Sequence, residues 1–83
     1  MKNYRKEGPV QYMDEVGYRP NGSHLKALRE RRGYTQKYVA ERLYTNQQTV
    51  SRHESGIVMP EAYFILAYAS LYGVTTDEIF YGK

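Results

Sequence analysis

The run TQKYVAERLYTNQQTVSRHESG, Thr35 to Gly56, constrains this chain most, because it carries the start and stop signals of two short helices separated by three residues. Thr35 is placed to cap a helix over Gln36 to Leu43, its hydroxyl accepting from an otherwise unpaired backbone N–H in the first turn. Asn46 is placed to do the same for a second helix over Gln47 to Ser55, and Gly56 supplies a left-handed stop. Val39, Ala40 and Leu43 share one face of the first helix, and the small Ala40 suits a close, steep helix crossing. In the second helix Val50 is the only aliphatic side chain, which leaves Gln47, Gln48, Thr49, Ser51, Arg52 and His53 expected outside. A helix that gives so little to a core has a polar face suited to recognition. The arrangement is that of a helix-turn-helix, whose second helix lies in the DNA major groove.

Leu25 to Gln36 (LKALRERRGYTQ), Val39 to Leu43 (VAERL), Thr49 to Arg52 (TVSR), Glu54-Ser55-Gly56, Pro60 and Leu71 to Phe80 (LYGVTTDEIF) follow one another in an ordered set. From about Ser23 to Phe80, without a gap, this set resembles the Cro and phage-repressor (Xre-type) DNA-binding family. The resemblance implies an all-α, five-helix, lambda-repressor-like domain over residues 23–83, with residues 1–22 as an N-terminal arm. It implies a transcriptional regulator of the repressor kind that binds double-stranded DNA sequence-specifically as a homodimer in the cytoplasm. It also implies that Arg29 pairs with Glu54, tying the first helix to the end of the recognition helix.

Charge follows the motif. Residues 23–56 hold seven Lys/Arg against three Asp/Glu and residues 57–83 one against three, within a net charge of +3. A phosphate-facing surface requires such a gathering of positive charge. With no cysteine, disulfides, a thiol nucleophile and Cys-ligated zinc are excluded. No apolar run approaches a membrane span, and the basic start MKNYRK is not followed by the apolar core of a signal peptide. His24 and His53 stand without a second ligand at metal spacing, so neither metal nor cofactor is expected. Ser51 to Ser55 contain nucleophile and base types, but neighbours on a helix point in different directions, and no enzyme is expected. The ten tyrosines fall mostly at helical core or interface positions, which favours packing over stacking on single strands.

In the arm, Gly8-Pro9 and Arg19-Pro20-Asn21-Gly22 punctuate a stretch whose Tyr4, Val10, Tyr12, Met13, Val16 and Tyr18 are expected to cover apolar surface; Lys2, Arg5 and Lys6 offer phosphate contacts instead. Ser23 is expected to cap a first helix through Arg32, with Leu25 and Leu28 inward, Gly33 closing it, and Lys26, Arg31 and Arg32 available outside. Where the family has basic or polar residues after Gly56, this chain has Ile57-Val58-Met59, in a region near the dimer interface of phage repressors. The fourth helix, Glu61 to Tyr72 after Pro60, is apolar on nearly every side. Its Tyr63, Phe64, Ala67 and Tyr68, together with Ile57, Val58 and Met59, are expected to meet the arm or a second subunit. Thr75-Thr76-Asp77-Glu78 is a capping-box pattern for a last short helix that returns Ile79 and Phe80 to the core.

Glutamine presents a donor and an acceptor side by side, matching adenine, and arginine two donors, matching guanine. Asn46, Gln47, Gln48 and Arg52 are therefore the candidates for base contacts, with Gln36, Lys37, Thr49 and Ser55 for phosphates. Tyr44 departs from the family, which usually has glycine in this left-handed turn. Two other readings remain open: an antitoxin-like regulator whose arm or tyrosine-rich face binds a toxin, and a protein-interaction module that has lost DNA binding.

Overall fold

A computed structural model describes residues 22–82. They form five helices and, among the described residues, no strand: α1 (Gly22–Arg31), α2 (Gln36–Arg42), α3 (Gln47–Ser55), α4 (Ala62–Tyr72) and α5 (Thr76–Tyr81). The expectations placed on residues 1–21 lie outside the described residues.

Local chemistry sets the boundaries. Thr35 Oγ1 accepts from the Tyr38 N–H at 3.0 Å, Asn46 Oδ1 from the Thr49 N–H at 2.8 Å, and Thr75 Oγ1 from the Glu78 N–H at 3.0 Å. Each cap is in the extended conformation that lets a side-chain oxygen fold back over the first turn. Gly56 and Gly73 end α3 and α4 with φ of 80° and 68°, a conformation that L side chains rarely adopt.

The first helix starts two residues earlier than expected. Ser23 lies inside its first turn and is not the cap; Gly22, assigned to the arm by sequence, is buried as the first helical residue. A Cβ on Gly22 would come within 2.6 Å of the Glu54 carbonyl carbon and 2.7 Å of the His53 carbonyl oxygen. Backbone cannot move aside as a flexible side chain can, so the start of α1 rests on the end of α3 only because this residue is glycine.

One core joins all five helices: Leu25 and Leu28 of α1, Val39 and Ala40 of α2, Val50 of α3, Phe64, Ile65, Tyr68, Ala69 and Tyr72 of α4, and Ile79 of α5. Leu43, Leu71, Val74 and Phe80 pack around it, half-buried. The inward face of α4 recurs every four residues through Phe64, Tyr68 and Tyr72, with Ile65 and Ala69 beside them. This corrects the sequence reading, in which Phe64 and Tyr68 were to meet a second subunit or the arm. Both are buried, and Tyr68 is closed in by Phe64 at 6.4 Å, Tyr72 at 6.1 Å and His53 at 5.7 Å between ring centroids. The exposed side of α4 carries Tyr63 and Leu66 instead.

Two polar ties supplement the core. Arg32, expected to be available outside, donates from Nη2 to the Tyr72 carbonyl at 2.8 Å, satisfying an end carbonyl of α4. His24 Nε2 and Glu78 Oε2 lie 2.9 Å apart, linking α1 to α5. Glu78 thus turns its carboxylate to His24, and the capping box expected at Thr75 forms its Thr75-to-Glu78 half.

Candidate nucleic-acid interface

The helix-turn-helix is α2 and α3, joined through Leu43, Tyr44, Thr45 and Asn46. Tyr44 has φ 57°, the left-handed conformation expected at this position, and its side chain is 97% exposed. It therefore stands in the conformation that favours glycine with no packing of its own to offset the strain.

The faces of α3 divide differently from the sequence expectation. Val50, His53 and Glu54 all turn inward, which removes His53 from the polar recognition face. His53 Nδ1 and the Tyr68 hydroxyl lie 2.8 Å apart, and Phe64 meets the imidazole edge-on at 4.8 Å between centroids. Burial holds the His53 pKa below its ordinary value, and Glu61 opposes this with a smaller effect. The same burial pushes the Tyr68 hydroxyl pKa well up. The missed signal was positional: residues 50, 53 and 54 stand at i, i+3 and i+4 on one helix face.

Glu54, its side chain 3% exposed, is held by a bidentate pair with Arg29: Nε donates to Oε2 at 2.7 Å and Nη2 to Oε1 at 3.1 Å. Arg29 Nη1 donates in addition to the Tyr34 carbonyl at 2.9 Å. The bond to Glu54 raises the Arg29 pKa further, so this cation stays charged. The pair joins α1 to the last turn of α3 and fixes how the recognition helix stands on the domain.

The outer face of α3 carries Gln47, Gln48 and Arg52, all exposed. Among the described residues the Gln48 and Arg52 side chains make no hydrogen bond inside the domain, and neither does that of Lys37 on α2. The other candidates are more committed. Asn46 spends its side-chain oxygen on the Thr49 N–H and, at 3.0 Å, on the Thr49 hydroxyl, which leaves its amide nitrogen as the group able to donate. Thr49 and Ser55, expected as phosphate donors, commit their hydroxyl hydrogens to acceptors of their own helix end, Thr49 to Asn46 Oδ1 and Ser55 to the Arg52 carbonyl at 3.1 Å. Gln36 donates from Nε2 to Glu54 Oε1 at 3.1 Å and accepts from Gln47 Nε2 at 3.4 Å. Of the apolar candidates after α3, Ile57, Val58 and Tyr63 are exposed and Met59 is half-buried.

Comparison with known proteins agrees with this geometry. A family model described as a helix-turn-helix domain matches residues 22–79. The chain is 38% identical over 58 residues to the HTH-type transcriptional regulator ImmR of Bacillus subtilis (strain 168), a match that takes in 70% of this chain and 46% of that protein. The chain thus spans about half the length of this relative. The chain belongs to the helix-turn-helix domain family, consistent with its resemblance to the Xre type.

Proposed function

We propose that this chain is a sequence-specific regulator of transcription that binds double-stranded DNA in the cytoplasm, with α3 in the major groove. The observation that carries the reading is the exposed row Gln47, Gln48 and Arg52 on a helix whose inner face is locked by Val50, His53 and the Arg29–Glu54 pair. Base reading needs polar groups free to bond on a firm support; Gln48 and Arg52 supply them, and Gln47, which gives one N–H to Gln36, keeps its amide oxygen. Gln48 suits adenine and Arg52 guanine; Lys37 and the second N–H of Gln36 are the phosphate donors. The relative ImmR carries the name of a transcriptional regulator, which supports the same reading.

Self-association is the second part of the proposal. Ile57 and Val58 after α3, 74% and 43% exposed, and Tyr63 and Leu66 on α4, both 62% exposed, are apolar side chains for which a second copy is the proposed cover. A two-fold dimer would set two α3 helices in successive major grooves, about 34 Å apart.

Titration of duplex DNA at two salt concentrations tests DNA binding. Affinity is expected to fall steeply with salt, and Lys37→Ala is expected to weaken binding uniformly across sequences while reducing the salt slope by about one. The same exposed apolar residues favour a second reading, a protein-interaction module or antitoxin-like regulator that binds a protein partner. Weak, nearly salt-independent DNA association would select that reading instead.

A further inference from the structure

A cleft of about 340 Å3 opens between α2 and α4, and none of the residues proposed above for bases, phosphates or self-association lines it. α2 packs mainly on α3 and α4 mainly on α5, so the cleft lies between elements whose chief partners are elsewhere. Tyr38 and Arg42 border it one turn apart on α2, and Ala67, Ser70 and Leu71 border it at i, i+3 and i+4 on α4. Tyr34, Leu43 and Leu71 are half-buried and pack against the core, which fixes the apolar part of the wall. The Tyr34 and Tyr38 rings stand 4.7 Å apart between centroids and 50° from parallel, so they offer a third ring a face and an edge.

Arg42 is the one charged residue of the lining. Among the described residues its guanidinium makes no hydrogen bond or ion pair, and the Ser70 hydroxyl makes none either. We propose that this cleft binds a small aromatic carboxylate, its ring against Tyr34 and Tyr38 and its carboxylate on the Arg42 guanidinium, with the Ser70 hydroxyl as a further donor. One planar, two-donor cation matches the two oxygens and single charge of a carboxylate. A phosphate dianion would bring a second negative charge with no second cation in the lining to meet it. The volume stands at the small end of the roughly 300–1,000 Å3 that ligand sites occupy, which suits one ring or two fused rings. Bound there, the ligand joins α2, the first helix of the helix-turn-helix, to α4.

The test titrates indole-3-acetate and its neutral analogue indole-3-acetamide into the full chain without DNA, followed by calorimetry and by backbone amide resonances. The acetate is expected to bind one to one with a Kd on the order of 1 mM or tighter, as its size allows, and to shift the resonances of Tyr38, Arg42, Ser70 and Leu71. The acetamide should bind about tenfold more weakly. Arg42→Gln changes an exposed side chain and should melt as wild type does; in it the acetate falls to the affinity of the acetamide, whose own affinity is kept. Tyr38→Ala takes away one ring and is expected to weaken both probes alike. Equal affinity of wild type for the two probes, resonance shifts confined to other parts of the domain, or either variant binding the acetate as wild type does overturns the site. So does a failure to saturate at about ten times the expected Kd. With no DNA present, each of these outcomes leaves the DNA-binding reading as it stands.

Discussion

At the scale of single residues, Tyr44 and Glu54 show opposite relations between a side chain and its surroundings. Tyr44 holds φ 57° while almost fully exposed, so its side chain returns nothing for the strain of its backbone. Tyr44→Gly is therefore expected to stabilise the fold by about 0.5–1 kcal/mol. In thermal unfolding the melting temperature should rise by a few degrees; a clear fall would mean that the tyrosine packs usefully. Glu54 is the reverse case, an anion that is tolerable where it lies because Arg29 and Gln36 satisfy it. Arg29→Leu leaves that charge buried and uncompensated and is expected to cost about 3 kcal/mol or more in denaturant unfolding. Arg29→Leu combined with Glu54→Leu should cost clearly less than the two single changes added together, because the buried charge leaves with its partner. Both residues were legible in the sequence for different reasons. Tyr44 stands where glycine is usual, and Glu54 stands in register with the family's ion pair.

At the scale of elements, legibility depended on whether a signal was local or periodic. The starts of α2, α3 and α5 were readable because Thr35, Asn46 and Thr75 each act within three or four residues of themselves. The inner face of α4 was not readable in that way. Its sequence AYFILAYASLY is apolar on nearly every side, so Phe64 and Tyr68 carried no stripe to separate them from Tyr63 and Leu66. Only tertiary packing, against His53 of α3, Tyr34 and α5, makes the choice. Gly22 was misplaced for a related reason, since the close approach of α1 to the end of α3 is a tertiary fact. His53 was misplaced because its residue type outweighed its position. Its burial has a consequence for pH. The folded-state pKa lies below the unfolded value of about 6.5, so the unfolded chain takes up a proton first as pH falls. The stability contributed by the neutral ring is complete above that unfolded value and is lost as pH falls from there toward the folded pKa. Between pH 7 and pH 5 wild type should lose more unfolding free energy than His53→Gln, which keeps a hydrogen-bonding partner for Tyr68. Equal losses in the two proteins would contradict the burial of the imidazole.

At the scale of the whole molecule, three facts combine that no single element contains. Positive charge gathers between residues 23 and 56, the recognition helix packs on α1 and α2 and is tied to α1 by Glu54 and to α4 by His53, and its outer face keeps Gln47, Gln48 and Arg52 exposed. Among the described residues no helix is long and apolar enough to cross a membrane. The remaining exposed apolar residues, Ile57, Val58, Tyr63 and Leu66, are where self-association is to be sought. If they join two copies, Leu66→Glu should shift sedimentation at tens of micromolar from dimer to monomer. A wild-type monomer at that concentration would contradict the dimer. The central claim, that α3 reads bases in duplex DNA, is tested most directly by selecting bound duplexes from a random pool and titrating the winner at two salt concentrations with wild type and Gln48→Ala. The account predicts an enriched palindrome, steep salt dependence, and a loss of about 1–3 kcal/mol in the variant confined to one position per half-site. No enriched sequence and no salt dependence would contradict it, leaving the fold intact and moving the function to the apolar residues after α3 and on α4.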